Sequence, residues 1–386
     1  MRVLIVHPRV TFYGGAELVI VKLANYLTKN GIPNSLLTLE CCEEVEKNLE
    51  GTEIIKPRNP LRFPPSIPFS LTLPFMVSSL NRMLRKHLHD FDIVNVHNFP
   101  AEMSCFGCYR KVVWMCNEPP QMYFVSPKIS VKFLDMFITR LDKTIVKKFV
   151  DCVVVADQFN AERFEKIYGI RPVVIPYGID FKFFQAADRL KGRELLGLKE
   201  NEFLILQVGV VSHLKKQFAS IKAFELIKSK LKNAKLVFAG EDSSKYAQEL
   251  KNYVGKSNLE REIIFTGHLP RETIRHLYAA CDVLLHPVGP QGGWLSPFEA
   301  MCAGAPVVVS DTMTASHIIR EKKLGIVTQD LGKAILEIYE HPEKYKRMAA
   351  KAKNWVRRNL SWEKFCEKHI EIFEKLVTLT PQKVRE

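Results

Sequence analysis

The chain has 386 residues, of which 47% are hydrophobic and 25% are charged, with 56 Lys and Arg against 42 Asp and Glu. At roughly 150 residues per domain, this length predicts two or three domains. The composition excludes wholesale disorder, and 19 Gly with 21 Pro exclude a collagen-like or low-complexity chain. No apolar stretch reaches the roughly 18 residues of a membrane-spanning helix.

The first half of the chain alternates short apolar runs with helical patterns. The opening run, Val3–Val6, is too short for a signal peptide and reads as a strand, so we expect a cytoplasmic chain. A helix is predicted over Glu17–Lys29, where apolar residues recur at helical spacing. Further Val- and Ile-rich runs are continuous, as is typical of parallel strands buried on both faces. These predicted strands are Ile93–Val96, Val112–Met115, Val153–Ala156 and Val173–Ile175.

A second block repeats this alternation of strands and helices. Its predicted strands are Phe203–Val208, Lys235–Ala239, Ile263–Thr266, Val283–His286 and Pro306–Ser310. Its predicted helices are Gln217–Leu231, Ser244–Val254, Arg271–Cys281 and Pro297–Ala303. Alternating strands and helices predict α/β architecture with two doubly wound, Rossmann-like domains.

The charged stretch Phe181–Asn201 lacks a strong strand and is expected to separate the two domains. We place the first domain at residues 1–185 and the second at 186–355. Residues 356–386 form a predicted helix whose apolar side is expected to pack back on the first domain. Two such domains are expected to face each other across a cleft, with ligands beyond the carboxyl ends of the strands.

The most informative segment runs from His286 to Met301. A predicted strand ends, a glycine-rich loop follows, and a helix is predicted to open at Pro297, where a missing N–H is tolerated. Backbone amides of Gly292, Gly293, Trp294 and Leu295, together with the helix dipole, would favour a diphosphate. Glu299, near the start of the helix, can accept hydrogen bonds from two sugar hydroxyls. A plain strand–turn–helix connection remains the alternative.

Here the chain resembles glycosyltransferase family 4, the retaining enzymes of GT-B architecture that use nucleotide sugars. The family pattern is Glu, seven residues, Glu, then Ala-Met, a small pair, Gly and Pro-Val-Val. This chain has Gln291, seven residues, Glu299, and then Ala300 to Val308 in the same pattern. The resemblance implies that Glu299 binds the nucleotide ribose. It also implies that the first position contacts the transferred sugar, where Gln291 keeps hydrogen-bonding capacity but carries no charge.

The resemblance continues near the amino terminus. Gly14-Gly15 precedes the first helix, as in the family's Gly-Gly loop, and implies backbone approach to phosphate or sugar. A tight turn explains the same residues. The strand before Asn98 resembles the family's His-x-His strand end, with Asn95 at the first position and His97 at the second. The resemblance implies that His97 contacts the transferred sugar, whereas a lone histidine is otherwise most often structural.

The segment Cys116-Asn117-Glu118-Pro119 resembles the Cys-His-x-Pro segment of mannosyltransferase-like members. Asn117 replaces the histidine, so the indication of mannose is weak. Glu118 and Asn117 are candidate contacts on the acceptor side. The alternative is a turn before two prolines.

The loop after the first strand of the second domain resembles the family's Gly-Arg loop followed by a lysine. Gly209 matches the glycine, Lys215 aligns best with the lysine, and Lys216 is the alternative. The resemblance implies that this lysine holds the donor diphosphate and stabilises charge on the leaving group. Val210 stands at the arginine position, a departure that His213 or Lys216 would have to offset. A solvated helix start is the plain alternative.

Three further segments resemble family markers. Gly267-His268 matches a turn whose backbone meets the nucleotide base, which makes His268 a candidate donor-binding position. Pro176–Asp180 resembles the hinge segment, and Ser361-Trp362 resembles the segment that leads into the last helix. The last two indicate family and topology rather than chemistry.

Two motifs suggest metals or redox chemistry only weakly. Asp90-Phe91-Asp92 opens a predicted strand at the end opposite the cleft, so we expect no metal site there. Cys105 and Cys108 form the one CxxC pair, with no second pair to complete a zinc ribbon, and core packing is expected. We expect no cofactor and no required metal, the nucleotide sugar (GDP- or UDP-linked) being a substrate.

A net charge of +14 is compatible with nucleic-acid binding, with binding to an anionic membrane surface, or with a solvated basic face. No zinc-finger, RNP-like or KH-like signature supports nucleic-acid binding, and we expect none. Basic and apolar residues interleave over Ser79–His89 and Lys128–Lys148, which either an anionic membrane surface or a solvated basic face would explain. The apolar, proline-punctuated segment Leu61–Phe75 corresponds to insertions that meet the acceptor in this family.

Together these features imply a retaining, metal-independent hexosyltransferase. It would move a mannose- or glucose-type sugar from a nucleoside diphosphate to a glycan, glycolipid or lipid-linked acceptor, in the cytoplasm or peripherally on the cytoplasmic membrane face. The resemblance implies reaction on the leaving-group face, with a phosphate oxygen taking the acceptor proton. The alternative is a catalytically weak nucleotide-sugar-binding scaffold of a polysaccharide assembly system, which Val210 and Gln291 favour.

Overall fold

The structure is a computed structural model that describes residues 1–60, 67, 69–120, 129–289 and 293–378, with the side chains of 70 and 129–134 left aside. The chain divides into two compact units. Unit 1 comprises Met1–Gly178 and Trp362–Glu386, and unit 2 comprises Ile179–Ser361. The predicted domain boundaries at 185 and 355 stay a prediction.

Unit 1 is built on a parallel sheet of seven strands in the order β3-β2-β1-β4-β5-β6-β7. The strands are β1 (Val3–Val6), β2 (Asn34–Leu37), β3 (Glu53–Ile55), β4 (Ile93–His97), β5 (Lys111–Met115), β6 (Cys152–Val155) and β7 (Val173–Val174). The chain turns from one half of the sheet to the other between β1 and β4. In open α/β sheets this point leaves a crevice at the carboxyl ends of the strands.

The described part of unit 1 also contains six α-helices. They are α1 (Gly15–Lys29), α2 (Glu43–Asn48), α3 (Phe69–His87), α4 (Ile129–Phe149), α5 (Gln158–Tyr168) and, at the carboxyl end, α15 (Trp362–Thr378). Helix α15 packs on α1, where Cys366 Sγ contacts the Lys22 carbonyl and Tyr26 Oη donates to Glu367. Its buried face includes Phe365, His369 and Phe373.

Unit 2 contains a six-stranded parallel sheet in the order β10-β9-β8-β11-β12-β13. The strands are β8 (Phe203–Val208), β9 (Ala234–Ala239), β10 (Ile263–Phe265), β11 (Val283–His286), β12 (Val307–Val309) and β13 (Ile326–Val327). Its helices are α6 (Phe181–Gln185), α7 (Arg189–Leu195), α8 (Gln217–Ile227), α9 (Lys245–Lys256), α10 (Arg271–Ala280), α11 (Leu295–Ala303), α12 (Ser316–Lys322), α13 (Leu331–Glu340) and α14 (Pro342–Asn359). The switch point lies between β8 and β11.

The prediction of two parallel α/β sheets is confirmed. Strands β1, β8 and β11 begin and end where the apolar runs predict, because they are buried on both faces. The sequence reading missed β2, β3 and β13, and it started α11 two residues late, at Pro297 instead of Leu295. Within the described ranges, no helix is long and apolar enough to cross a bilayer.

Candidate functional site

Backbones converge at the carboxyl edge of the sheet in unit 2. Gly209, Gly240 and Gly267 follow β8, β9 and β10, and the Gly240 N–H donates to the Gly267 carbonyl over 3.0 Å. A Cβ on Gly240, whose φ is +154°, would lie 2.3 Å from the Gly209 carbonyl oxygen. Only glycine fits this approach, which leaves backbone rather than side chains at the edge where ligands bind in such sheets.

Two glutamines fix the loop that follows β8. Gln207 donates from Nε2 to the Lys215 carbonyl over 2.7 Å and accepts from Ser220 Oγ. Gln217 donates to the Val210 carbonyl over 3.0 Å and accepts from the Ser212 N–H. The side-chain amides of both glutamines are buried, so the loop is fixed to the core near its two ends, at Val210 and Lys215. Sequence reasoning did not identify either glutamine.

The loop directs Lys215 toward the start of α11. A Cβ placed on Gly293 would lie 3.2 Å from Nζ of Lys215 and 2.4 Å from Nε2 of His286. Burial and the Lys215 ammonium lower the pKa of the His286 imidazole to about 3, so this ring is neutral at pH 7. The structure therefore brings together Gly209, Lys215 and Gly293, three of the residues that the sequence predicts for the donor.

Lys216 approaches the glycine-rich loop from another position. It caps the amino end of α8 with a φ of +54°, and its Nζ lies 3.9 Å from where a Cβ on Gly289 would stand. Two lysines thus reach the neighbourhood of the loop that follows β11. This concentration of positive charge suits a phosphate group.

Helix α11 begins at Leu295, with Trp294 as its first flanking residue. Pro297 is therefore the third helical residue rather than the first. A proline at the third position is tolerated as well as at the first, because the first four N–H groups of a helix have no partner within it. Trp294 is buried against Phe298, with ring centroids 4.6 Å apart. Gln291 and Gly292, both predicted site residues, lie outside the described residues.

Glu299 lies one turn into α11 and is held by two side chains. Tyr278 Oη donates to Oε2 over 3.1 Å, and Arg271 Nη2 lies 3.5 Å from Oε1. Arg271 also pairs with Asp180 at 3.4 Å. Burial raises the pKa of Glu299, and the Arg271 charge and the Tyr278 hydrogen bond oppose that rise. The side chain keeps 13% exposure, so its carboxylate can still accept from a ligand.

His268, the predicted base-side position, follows Gly267 and is exposed. Its charge lies close enough to contribute to the lowered pKa of Glu241, whose main cause is a hydrogen bond from Ser243. The structure thus places His268 at the edge formed by the three glycines. Nothing brings its side chain to Lys215 or Glu299 among the contacts of the described chain.

In unit 1, His97 ends β4 and is fully buried. Its Nε2 lies 2.8 Å from Oδ1 of Asn95, whose Nδ2 donates to the Val113 carbonyl over 3.1 Å. Because an amide oxygen only accepts, Nε2 carries the ring proton and Nδ1 is an acceptor. Nδ1 has no hydrogen-bond partner within the described part of the chain. Burial, with neighbouring His7 and His369, lowers the pKa of His97 well below its usual range.

A chain of side-chain hydrogen bonds crosses the carboxyl edge of the same sheet. Tyr177 donates to Oδ1 of Asn117, Asn117 donates to Oδ1 of Asn98, and Asn98 donates to Nε2 of His7 over 2.9 Å. We call these four residues the edge relay. Burial lowers the pKa of His7 to about 4, which keeps its imidazole neutral. Sequence reasoning singled out Asn117 alone, on the acceptor side.

The Gly14-Gly15 loop forms the start of α1. Gly14 is the capping residue, Gly15 is the first helical residue, and Glu17 Oε2 accepts from the Gly14 N–H over 3.1 Å. A Cβ on Gly14 would lie 2.4 Å from the Phe12 ring. The amino end of α1 is therefore capped by its own glutamate, as in a capping box. Glu118 is half-buried next to Asn117.

The remaining motifs have structural roles in the described chain. Asp92 accepts from the Arg2 N–H over 2.8 Å at the amino end of β4, opposite the edge discussed above. Cys105 and Cys108 are both buried in the core of unit 1. Among the described residues, no group of three or more His, Cys, Asp or Glu side chains is arranged to hold a metal.

Comparison with protein families matches both halves of the chain. Residues 13–183 match the model described as Glycosyltransferase Family 4, and residues 188–355 match Glycosyl transferases group 1. An uncharacterized glycosyltransferase of Methanocaldococcus jannaschii is 23% identical over 83% of this chain and 82% of its own length. A GDP-mannose-dependent alpha-(1-6)-phosphatidylinositol dimannoside mannosyltransferase of Mycobacterium tuberculosis is 28% identical, over 52% of each chain. This chain thus spans about half of the second relative.

Among solved structures, HepE of Anabaena in complex with UDP and glucose superposes with a TM-score of 0.78. The match covers 96% of this chain and 99% of HepE at 19% identity. At this identity the likeness concerns the fold, which is the GT-B fold with two Rossmann-like domains.

Proposed function

Because the chain belongs to glycosyltransferase family 4, we propose that it moves a mannose- or glucose-type hexose from a nucleoside diphosphate sugar to a glycan, glycolipid or lipid-linked acceptor, with retention at the sugar carbon. The observation that carries the proposal is the position of Lys215. Its ammonium lies beside Gly293 at the start of α11, on the loop fixed by Gln207 and Gln217. A fixed cation beside an open helix start suits the diphosphate of a leaving nucleotide.

The proposed donor site belongs to unit 2. Lys215 and the amides of Gly293, Trp294 and Leu295 bind the diphosphate, and Lys216 adds a second charge. Glu299 accepts from the two ribose hydroxyls, supported by Tyr278 and Arg271. Gly209 and the backbone beside His268 line the edge where ribose and base would rest. Gly292 and Gln291 precede Gly293 in the sequence, and we assign Gly292 to the diphosphate and Gln291 to the transferred sugar on that ground.

The proposed sugar and acceptor contacts belong to unit 1. His97 offers the Nδ1 lone pair to a hydroxyl of the transferred hexose. Gly14 and Gly15 allow close backbone approach at the start of α1, where Gly15 offers its N–H beside the Gly14 N–H that already donates to Glu17. Asn117 and Glu118 contact the acceptor, with Asn117 held in place by the edge relay.

The reaction we propose breaks the bond between the anomeric carbon and the diphosphate oxygen. The acceptor hydroxyl attacks from the leaving-group face and transfers its proton to a phosphate oxygen. Lys215 stabilises the negative charge that builds up on the diphosphate. The lysines and the helix start supply positive charge there, so the proposal requires neither cofactor nor metal.

Val210 favours a second candidate, a catalytically weak scaffold that binds nucleotide sugars in a polysaccharide assembly system. Its side chain stands at the family's arginine position and is 43% exposed, so one expected cation is replaced by an apolar group. A scaffold would bind the nucleotide without transferring the sugar to any acceptor.

Nucleotide binding is tested first, by thermal unfolding with UDP, GDP and ADP, each with and without Mg²⁺. A nucleotide at about 100 times its Kd stabilises the fold by about 2.7 kcal/mol, which raises Tm by a few degrees. A shift with one nucleotide, equal with and without Mg²⁺, supports the metal-free donor site and identifies the base. A shift that needs Mg²⁺ contradicts the metal-independent mechanism.

Transfer is tested with the matching radiolabelled nucleotide sugar and membrane lipid extracts as acceptors. Labelled product from the wild type, and far less from Lys215→Ala, supports the transferase. Nucleotide binding without product across extracts and glycan acceptors favours the scaffold.

A further inference from the structure

Helices α3 and α4 of unit 1 present an unusual solvent face. Among the described side chains, large exposed apolar residues lie in the amino-terminal half of each helix and exposed basic residues lie toward its carboxyl end. On α3, Phe69 and Leu71 are 41% and 53% exposed, and on α4, Met136 and Phe137 are 68% and 65% exposed. Exposed apolar residues that cluster on one face can mark an interaction site.

The basic ends carry no compensating acid. Helix α3 contains no Asp or Glu, and its exposed basic residues are Arg82, Arg85 and Lys86. Helix α4 has two acids, Asp135 and Asp142, and both are buried. Among the described side chains of the two helices, the exposed charges are therefore all positive, which suits an anionic partner.

Topology directs the amino-terminal halves of both helices toward the same edge of the sheet. Helix α3 ends six residues before β4 begins, and α4 ends just before β6, so their basic ends lie near the amino edge of the parallel strands. The helices are about 28 and 31 Å long at 1.5 Å per residue. Their amino ends therefore extend toward the carboxyl edge, where His97 and the edge relay lie.

Direct contacts support this placement. The Phe69 ring, at the start of α3, packs on Phe99 with centroids 6.1 Å apart, and Phe99 follows Asn98 of the edge relay. The short segment after β4 lies between the two helices. Asn81 of α3 donates to the Ser104 carbonyl of this segment over 2.7 Å. Its exposed Phe106 packs on Phe149 at the basic end of α4, with ring centroids 5.5 Å apart.

From these observations we infer that the α3–α4 face docks on an anionic phospholipid bilayer, with Leu71, Met136 and Phe137 entering the interface and the basic ends binding lipid headgroups. Docking would bring the carboxyl edge of unit 1 to the membrane surface, where the head of a lipid-borne acceptor is available. The inference rests on the proposed function for the identity of the acceptor, and docking itself can be measured without any donor.

Vesicle flotation tests the inference directly. The full chain is mixed with vesicles of phosphatidylcholine alone or with 30% phosphatidylglycerol, a composition chosen as roughly that of an anionic surface. We expect binding to the anionic vesicles that weakens with salt. Leu71→Glu combined with Met136→Glu and Phe137→Glu should reduce the partition coefficient about tenfold or more.

A control variant carries the change to Glu at two exposed leucines of unit 2. Leu190 and Leu226 are 65% and 79% exposed, and Leu190→Glu with Leu226→Glu should leave vesicle binding unchanged. Circular dichroism melts of all variants confirm that they fold. Insertion is measured separately with Phe137→Trp, whose fluorescence should be quenched by brominated lipid, whereas Leu226→Trp should not be quenched.

Three results would overturn the inference. One is the absence of binding to anionic vesicles by the folded wild type. Another is binding that the triple variant retains, which would make it electrostatic adsorption without insertion. The third is a wild-type dimer that the triple variant converts to monomer, which would make the face a self-association surface. Failure of sugar transfer with intact vesicle binding would instead count against the proposed function alone.

Discussion

Tyr278 holds Glu299 from inside unit 2: its Oη donates to Oε2 over 3.1 Å, while Arg271 reaches the other carboxylate oxygen at 3.5 Å. The carboxylate is thereby oriented before any ligand arrives. Because the side chain is already oriented, it can accept hydrogen bonds from a ligand without the entropic cost of becoming ordered.

Replacing Glu299 by Ala should weaken nucleotide binding about 10- to 100-fold, because hydrogen bonds to a charged acceptor contribute roughly 1.5–3 kcal/mol. Tyr278→Phe should weaken it less, since Arg271 still restrains the carboxylate. Isothermal titration with the nucleotide that stabilises the wild type measures both. Equal affinity in wild type and Glu299→Ala would place the ribose elsewhere.

The same carboxylate predicts a pH dependence of nucleotide binding. Burial raises the pKa of Glu299. The carboxylate is therefore protonated at a higher pH than an ordinary glutamate, and nucleotide affinity should fall as the pH drops through that raised value. In Glu299→Gln the affinity should be lower at neutral pH and show less decline over the acidic range. The profile is measured by titration from pH 8 to pH 5.

Lys215→Ala should reduce turnover by about two to three orders of magnitude, as expected when one stabilising group for a developing anion is removed. Lys216→Ala should act mainly on donor affinity, because its Nζ lies near Gly289 rather than beside Gly293. Steady-state kinetics separate kcat from KM for the two variants. Full turnover by Lys215→Ala would reject its proposed role.

Parts of the fold could be read directly from the sequence, and parts could not. The central strands were predictable because burial on both faces makes them continuous apolar runs, as in β1 and β8. Strand β2 begins with Asn34 and Ser35, so it lacks the continuous apolar run from which a buried strand is predicted. The Asn34 amide is satisfied only after folding, by the Ala24 carbonyl and Thr28 Oγ1. Strands β3 and β13 have three and two residues, too few for a pattern.

The site shows the same division. Glycine-rich loops, Lys215 and Glu299 are close in sequence to strand ends, so spacing and resemblance pointed to them. The edge relay could not be found this way, because His7, Asn98, Asn117 and Tyr177 follow four different strands. Only the order of strands in the sheet makes them neighbours. The supporting glutamines, Gln207 and Gln217, resemble any polar residues next to a strand or helix until their partners are known.

Tyr177→Phe should destabilise unit 1 by about 1–3 kcal/mol, because it removes the donor that satisfies Asn117 in a largely buried setting. The Phe ring keeps the packing of Tyr177 on Phe365, whose centroids are 6.1 Å apart. Urea unfolding measures the change. Tyr109→Phe, at a tyrosine that is 68% exposed, is the control and should have little effect.

A buried acid pair predicts a pH dependence of folding. Glu102 and Asp142 lie in the core of unit 1, and Tyr168 donates to Asp142 over 2.5 Å. Burial, reinforced by the Asp142 charge, raises the pKa of Glu102 well above its usual range. Burial also raises the pKa of Asp142 to about 6.

Raised values mean that the folded state retains protons which the unfolded state releases. This contribution to stability is complete below about pH 4 and is lost as the pH rises through the folded values. For each retained proton, the free energy of unfolding falls by about 1.4 kcal/mol per unit of rising pH in that range.

Glu102→Gln removes one titrating group and should flatten the slope of the free energy of unfolding above pH 5. Glu43→Gln, on an exposed helix, should not alter it. Urea unfolding between pH 5 and pH 8 decides between these outcomes.

Val210→Arg tests whether the exposed loop position can serve the donor. Val210 follows Gly209 and is 43% exposed, so a long side chain can be accommodated without disturbing the core. Gln217 holds its carbonyl and so fixes where the new guanidinium begins. An arginine there would add a planar, bidentate cation of the kind that binds phosphates well. We expect tighter nucleotide binding, by about tenfold, and faster sugar transfer.

The control is Leu214→Arg, which adds the same charge to the same loop at a residue that is 56% exposed. A general electrostatic effect would appear equally in both variants, and salt would screen both. A gain confined to Val210→Arg would mean that the diphosphate rests over the start of this loop. Nucleotide affinity that rises without any gain in transfer would favour the scaffold. Affinity unchanged by Val210→Arg would show that the loop after β8 does not meet the donor.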